Sequence, residues 1–186
     1  DQHDLPLNNI INQTKTGRGV NVYVIDSGIR RTHLEFEARV VGGQGFIPDG
    51  NGTVDCNGHG THVAGTIGGS SVGVAYEVTL IPVRIFNCDG ASTASSAIDG
   101  INWVTANARF PAVANVSFGT AAPKQALDDA VRASIARNIT YVVAAMNDDV
   151  DAFTRIPAMY GNSIAQLESD VCWGIIAADP AMADGN

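Results

Sequence analysis

Short, nearly continuous apolar runs that recur between helix-forming stretches constrain this chain more than any other feature. Residues 20–25 (Val-Asn-Val-Tyr-Val-Ile) begin as an alternation and then turn fully apolar, the pattern of a strand buried on both faces. The run stops at Asp26-Ser27-Gly28, a turn signal. Residues 78–86, 112–118 and 141–145 read as further strands. Between them, residues 94–107 place Ile98, Ile101 and Val104 or Trp103 on one helical face. Behind Pro123, Leu127, Val131 and Ile135 recur at i, i+4, i+8, flanked by Ala126 and Ala130. The stretch opening His59-Gly-Thr-His-Val-Ala-Gly-Thr-Ile predicts a short helix, and the Gly-, Asp- and Asn-rich residues 40–58 a loop. Strands alternating with helices imply an α/β fold, a doubly wound and mostly parallel sheet covered on both faces. Such sheets bind ligands beyond the carboxyl ends of their strands. Asp26, residues 117–119 and Met146-Asn147 all fall at ends of that kind. No repeat, low-complexity tract or linker divides residues 1–186, so a single domain is expected.

Composition excludes several partners. With 19 acidic against 11 basic residues the chain carries a formal charge of −8, which argues against nucleic acid, since a grip on phosphates needs clustered Lys and Arg. The acidity is uneven, with seven acids and one base in residues 140–186. No apolar run approaches the ~20 residues that span a bilayer. The start at Asp1, with neither an initiator Met nor a signal-like stretch, suggests a processed or excised form. Among three cysteines, Cys56 and Cys88 could close a loop of about 33 residues, worth ~3–4 kcal/mol as a disulfide. Three free thiols are the alternative; with a Cys56–Cys88 bond, Cys172 is left over, an orphan or bonded to a segment outside this chain. Sequons at Asn12, Asn51, Asn115 and Asn138 fit a secreted, extracellular protein.

A carboxylate ending a buried strand, followed about thirty residues later by a histidine opening a helix, suits an orienter and a base. Asp26 could hold one ring nitrogen of His59 and leave the other to take a proton. The bland reading is that Asp26 only accepts backbone N–H bonds in its turn and His59 lies on the surface. Cys56-x-x-His59-x-x-His62, with Asp55 adjacent, also has zinc-compatible spacing, although a fourth ligand is not evident.

The full strings decide between these readings. Tyr23-Val-Ile-Asp26-Ser-Gly28 and Asn57-Gly-His59-Gly-Thr-His62-Val-Ala-Gly65-Thr resemble the aspartate and histidine motifs of the subtilisin-like serine proteases. Asp4-Leu-Pro-Leu, Gly17-Arg-Gly-Val-Asn-Val-Tyr, Asp55-Cys-Asn-Gly, the Cys56/Cys88 spacing and Pro111-Ala-Val-Ala-Asn-Val-Ser are similar to the proteinase K and aqualysin branch. The resemblance implies an endopeptidase in which Asp26 orients the imidazole and His59 is general base, then acid. His62 would pack, and His33 lies at no catalytic position. Asn147 would supply an oxyanion-stabilising amide, although Met146 stands where the family has glycine. An extended polypeptide substrate would pair with Gly90, Ala91 and Ser92 on one side and Ser117, Phe118 and Gly119 on the other. Ser92 replaces a glycine there, so a narrowed groove is expected. Asn115 would point into the structure, and a Cys56–Cys88 disulfide would tie the histidine loop to the groove edge. The chemistry requires no cofactor. Structural calcium is the ion such proteases use, and Asp148-Asp149-x-Asp151 offers hard oxygens.

The resemblance runs from residue 4 to about residue 158 and lacks the nucleophile. The family's Gly-Thr-Ser-Met-Ala-x-Pro string is absent. Gly161-Asn-Ser163-Ile-Ala165 is a faint echo without the proline, in a stretch better read as strand or loop. Cys172 heads a string similar to a later family strand, but Phe153 occupies its partner position. The expectation is therefore the N-terminal two thirds of such a domain, inactive by itself, with the serine on a missing C-terminal piece or another subunit. The competing expectation is a catalytically silent binding or structural subunit.

Overall fold

The computed structural model describes residues 15–119, 125–144 and the strand Ile164–Gln166. Six strands are found there: β1 (Asn21–Asp26), β2 (Gln44–Gly45), β3 (Thr79–Arg84), β4 (Ala112–Val116), β5 (Thr140–Ala144) and β6 (Ile164–Gln166). They form one parallel sheet in the order β2-β3-β1-β4-β5-β6. Three helices, α1 (His59–Gly68), α2 (Ala94–Asn107) and α3 (Gln125–Ile135), and a 3-10 turn at Leu34–Phe36 complete the described elements.

The sheet is covered on both faces. Tyr23 and Ile25 of β1 pack with Ala97, Ile101 and Val104 of α2 and with Leu127 and Val131 of α3. Val22 and Val24, pointing the other way, pack with Ala64 and Ile67 of α1 and with Phe36. Burial on both faces is why β1 reads as an apolar run rather than a strict alternation. From β1 the chain moves outward to β3, then returns to lay β4 against β1's opposite edge. That reversal puts the ligand-binding crevice of a doubly wound sheet at the carboxyl end of β1, where Asp26 stands.

Two details differ from the sequence expectation. In α2 the buried residues are Ala97, Gly100, Ile101 and Val104, with Ile98 and Trp103 only partly covered. A Cβ on Gly100 would lie 2.7 Å from Ile85 Cγ2, so the small residues carry the closest contact with the sheet. The loop over residues 40–58 also holds β2, a two-residue edge strand on β3.

Candidate active site

Four positions at the end of β1 and the start of α1 fix the local geometry. Gly28 has φ +104° and passes so close to Thr53 that a Cβ would sit 2.6 Å from its carbonyl oxygen. Gly60, just after His59, would place a Cβ 2.3 Å from the Gly28 carbonyl oxygen. The absence of side chains at both lets the first turn of α1 close onto the strand end. Ser27, buried, donates its hydroxyl to Asp55 Oδ1 at 2.9 Å and accepts the Gly60 N–H at 2.9 Å. Asp55 also accepts the N–H groups of Asn57, Gly58 and Thr61 at 3.0, 2.8 and 2.9 Å. The Thr61 hydroxyl adds a bond of 2.5 Å. Orphan amides at a helix start need acceptors of this kind.

Within that frame His59 Nδ1 meets Asp26 Oδ1 at 2.8 Å. Asp26 is fully buried and also accepts the Ser27 N–H at 2.7 Å. Its Oδ2 has no hydrogen-bond partner among the described residues. With the carboxylate as acceptor the proton sits on Nδ1, and Nε2 of the neutral ring presents a lone pair. The His59 side chain is 53% exposed. Its pKa is raised above the ordinary histidine value, first by the hydrogen bond to Asp26; burial pulls it back, and the charges of Asp26 and Asp55 add to the rise. Burial works to raise the Asp55 carboxyl, but its bonds from Gly58, Thr61 and Ser27 outweigh that and leave it low.

A cleft of about 250 Å³ opens beside the pair, lined by Asp26, Ser27, Asn57, His59, Phe86, Gly90 and Ser117. Ser92, Phe118 and Gly119 line a second recess of about 350 Å³ that shares Phe86; Phe86 and Phe118 meet edge to face at 5.4 Å. Ser92 turns its hydroxyl back onto the Ile85 carbonyl at 2.6 Å. Ala91 lines neither space: its N–H donates to Asn87 Oδ1 at 2.8 Å and its carbonyl accepts the Asn87 N–H at 2.9 Å. Asn115 is buried and donates to Ser117 Oγ at 2.9 Å, so its sequon is inaccessible. Asn147, Met146, Ser163, Cys172 and the Asp148–Asp151 run lie outside the described residues.

Cys56 and Cys88 are bonded, with Cα atoms 4.9 Å apart. The bond joins the loop that leads into α1 to the turn carrying Gly90. It also withdraws Cys56 from the zinc reading. Asp49 stands near both sulfurs, but sulfurs bonded to one another are not thiolates for a metal. His33 lies tilted against Phe36 and caps the 3-10 turn, and His62, expected to pack, instead lies exposed on α1.

Sequence reasoning missed the clasp of Ser27 and Asp55, and it missed Arg84. Arg84 ends β3 fully buried and grips both carboxylate oxygens of Asp49, at 2.7 and 2.5 Å. Asp49 is thereby held far below the usual carboxylate range, chiefly by the Arg84 hydrogen bond. The available signal was a lone charge inside Leu80-Ile-Pro-Val-Arg84-Ile-Phe.

A parallel sheet that sets a buried carboxylate against a half-exposed imidazole at its switch point is the arrangement that the aspartate and histidine motifs led one to expect. The subtilase family model matches residues 17–170, and the chain belongs to that family of serine proteinases. It is 51% identical over 158 residues to an extracellular serine proteinase of Thermus sp. (strain Rt41A), covering 85% of this chain and 38% of that one. To alkaline serine exoprotease A of Vibrio alginolyticus it is 44% identical, covering 88% and 30%. The crystal structure of a cold-adapted subtilisin-like serine proteinase superposes with a TM-score of 0.81 at 45% identity, over 86% of this chain and 58% of the other. The chain thus spans well under half the length of these two curated relatives. No described helix is long and apolar enough to cross a membrane.

Proposed function

We propose that this chain supplies the orienting carboxylate, the general base and the substrate groove of a serine endopeptidase whose nucleophile lies outside residues 1–186. The observation that carries the reading is the 2.8 Å bond between His59 Nδ1 and Asp26 Oδ1, beside a cleft that both side chains line. His59 Nε2 accepts the proton of the serine hydroxyl as it attacks the scissile carbonyl; Asp26 stabilises the imidazolium; His59 then returns the proton to the leaving amine. The Asn147 amide is assigned to the oxyanion. An extended peptide runs between the turn at Gly90 and Ser92 and the strand end at Ser117, Phe118 and Gly119. Because both backbone groups of Ala91 and the Gly90 N–H are engaged by Asn87, pairing on that side falls to the Gly90 carbonyl and to Ser92. The names of the relatives support secretion. Any calcium belongs to the whole protein's stability rather than to the reaction.

The absence of the serine string from residues 1–186 favours one competing reading, a silent subtilase-fold subunit. Intact mass of the natural protein, followed by labelling with a fluorophosphonate, separates the two. A species well above 19.4 kDa that takes up one label per chain is expected. A folded natural protein that takes up none contradicts the peptidase reading and leaves the silent subunit.

A further inference from the structure

We propose that Arg84 is a positioning residue for His59, acting through Asp49 and the Cys56 end of the disulfide; the inference rests on the peptidase reading. Arg84 is the register partner of Asp26 on the adjacent parallel strand, so the two side chains leave the sheet on the same face. It is the largest fully buried side chain among the described residues. The rest of β3 is Thr-Leu-Ile-Pro-Val, and an ion pair whose guanidinium is buried while its carboxylate reaches solvent is weak support for stability. What the guanidinium provides is fixed geometry. Its two terminal nitrogens hold Asp49 fork to fork at 2.7 and 2.5 Å, while Nη2 lies 3.3 Å from Cys56 Sγ and 4.0 Å from Cys88 Sγ. Asp49 accepts the Asn51 N–H at 3.1 Å, and the Asn51 amide faces both sulfurs at 4.0 and 3.7 Å.

One chain of contacts therefore runs from the end of β3 through Asp49 and Cys56 into the segment that opens α1. Cys56 sits between Asp55, which ties that segment to Ser27, and Asn57, whose Oδ1 accepts the His59 N–H at 3.2 Å. Residues 46–58 contain no helix or strand, so the place of His59 over Asp26 depends on such anchors. Lysine offers a compact ammonium on a flexible stem and lacks the rigid planar fork that holds two carboxylate oxygens side by side.

The test compares Arg84→Lys, Arg84→Met and Asp49→Asn with wild type in the full-length natural protein. It reads kcat and KM on a peptide, fluorophosphonate labelling rate, thermal midpoint and the NMR signals of the His59 ring. The thermal midpoint is expected to move little in Arg84→Lys and in Arg84→Met. Both should still lower kcat and labelling roughly 10–100-fold, the scale of a small misplacement of a reacting group, with KM within about twofold. Asp49→Asn shows the same split in smaller degree. If Arg84→Met does not fold, Arg84→Lys decides alone. Wild-type kcat, labelling and ring signals in Arg84→Lys overturn the proposal, as does a kcat loss matched by an equal rise in KM. The ring signals need no turnover: a wild type that takes up no label, with signals that still move in Arg84→Lys, sinks only the peptidase reading.

Discussion

The two faces of the sheet solve different problems. On the side of α2 and α3 the contacts are almost wholly apolar, with the Tyr141 hydroxyl to Ser134 bond of 2.9 Å as a buried exception. On the side of α1 the inner part is equally apolar, but the strand ends carry Asp26 and Arg84, with Ser27 and Asp55 beside them. Apolar packing specifies volume and tolerates conservative exchange. Buried hydrogen-bonded groups specify positions and tolerate little. Both faces therefore contribute apolar packing to stability, and the α1 face in addition sets where one imidazole stands.

Substitutions in the complete protein should separate the faces by readout. His59→Ala is expected to cost about 10⁶-fold in kcat with the fold intact, since base and nucleophile act as a unit; retained turnover would break the comparison outright. Asp26→Asn should cost about 10⁴-fold. Because Asp26 raises the His59 pKa, its loss also moves the acid limb of the kcat/KM profile to lower pH, and an unmoved limb argues against the pairing. Ile101→Ala, on the opposite face, should cost about 2–5 kcal/mol in denaturant unfolding while leaving the acid limb in place. Ser27→Ala strips Asp55 and the Gly60 N–H of a buried partner, for about 1–3 kcal/mol, and it should slow turnover where Ile101→Ala does not. The smallest effect is expected at Asp49. Its lowered folded pKa adds stability above the unfolded carboxylate value and loses it as pH falls below about 4. The wild-type unfolding midpoint should accordingly drop more steeply with acid than that of Asp49→Asn.

What the sequence made legible follows the same division. The bounds of α2, residues 94–107, could be read directly, since Thr93 supplies an N-cap to Ser96 N–H at 3.1 Å and the apolar period continues to Val104. β1, β3, β4 and β5 were legible within two residues because burial writes them as apolar runs. The two-residue β2 was not: its pairing with β3 is imposed by the sheet, against a loop-like composition. At the site, the motifs identified Asp26 and His59, and the structure brings them together. The roles of Ser27, Asp55 and Arg84 were hidden because each depends on which turn approaches which, a matter of three-dimensional closure with no period in the chain. The inward face of α2 was partly misread for a related reason, as glycine and alanine carry little weight in an apolar pattern yet permit the closest approach.

The most direct test of the central claim is an NMR pH titration of the His59 ring in the full-length protein, wild type beside Asp26→Asn. The account predicts a neutral ring protonated at Nδ1, a pKa above the ordinary ~6.5, and a lower value in Asp26→Asn, where the charge of Asp55 remains. A ring protonated at Nε2, or a titration that Asp26→Asn leaves unchanged, contradicts it.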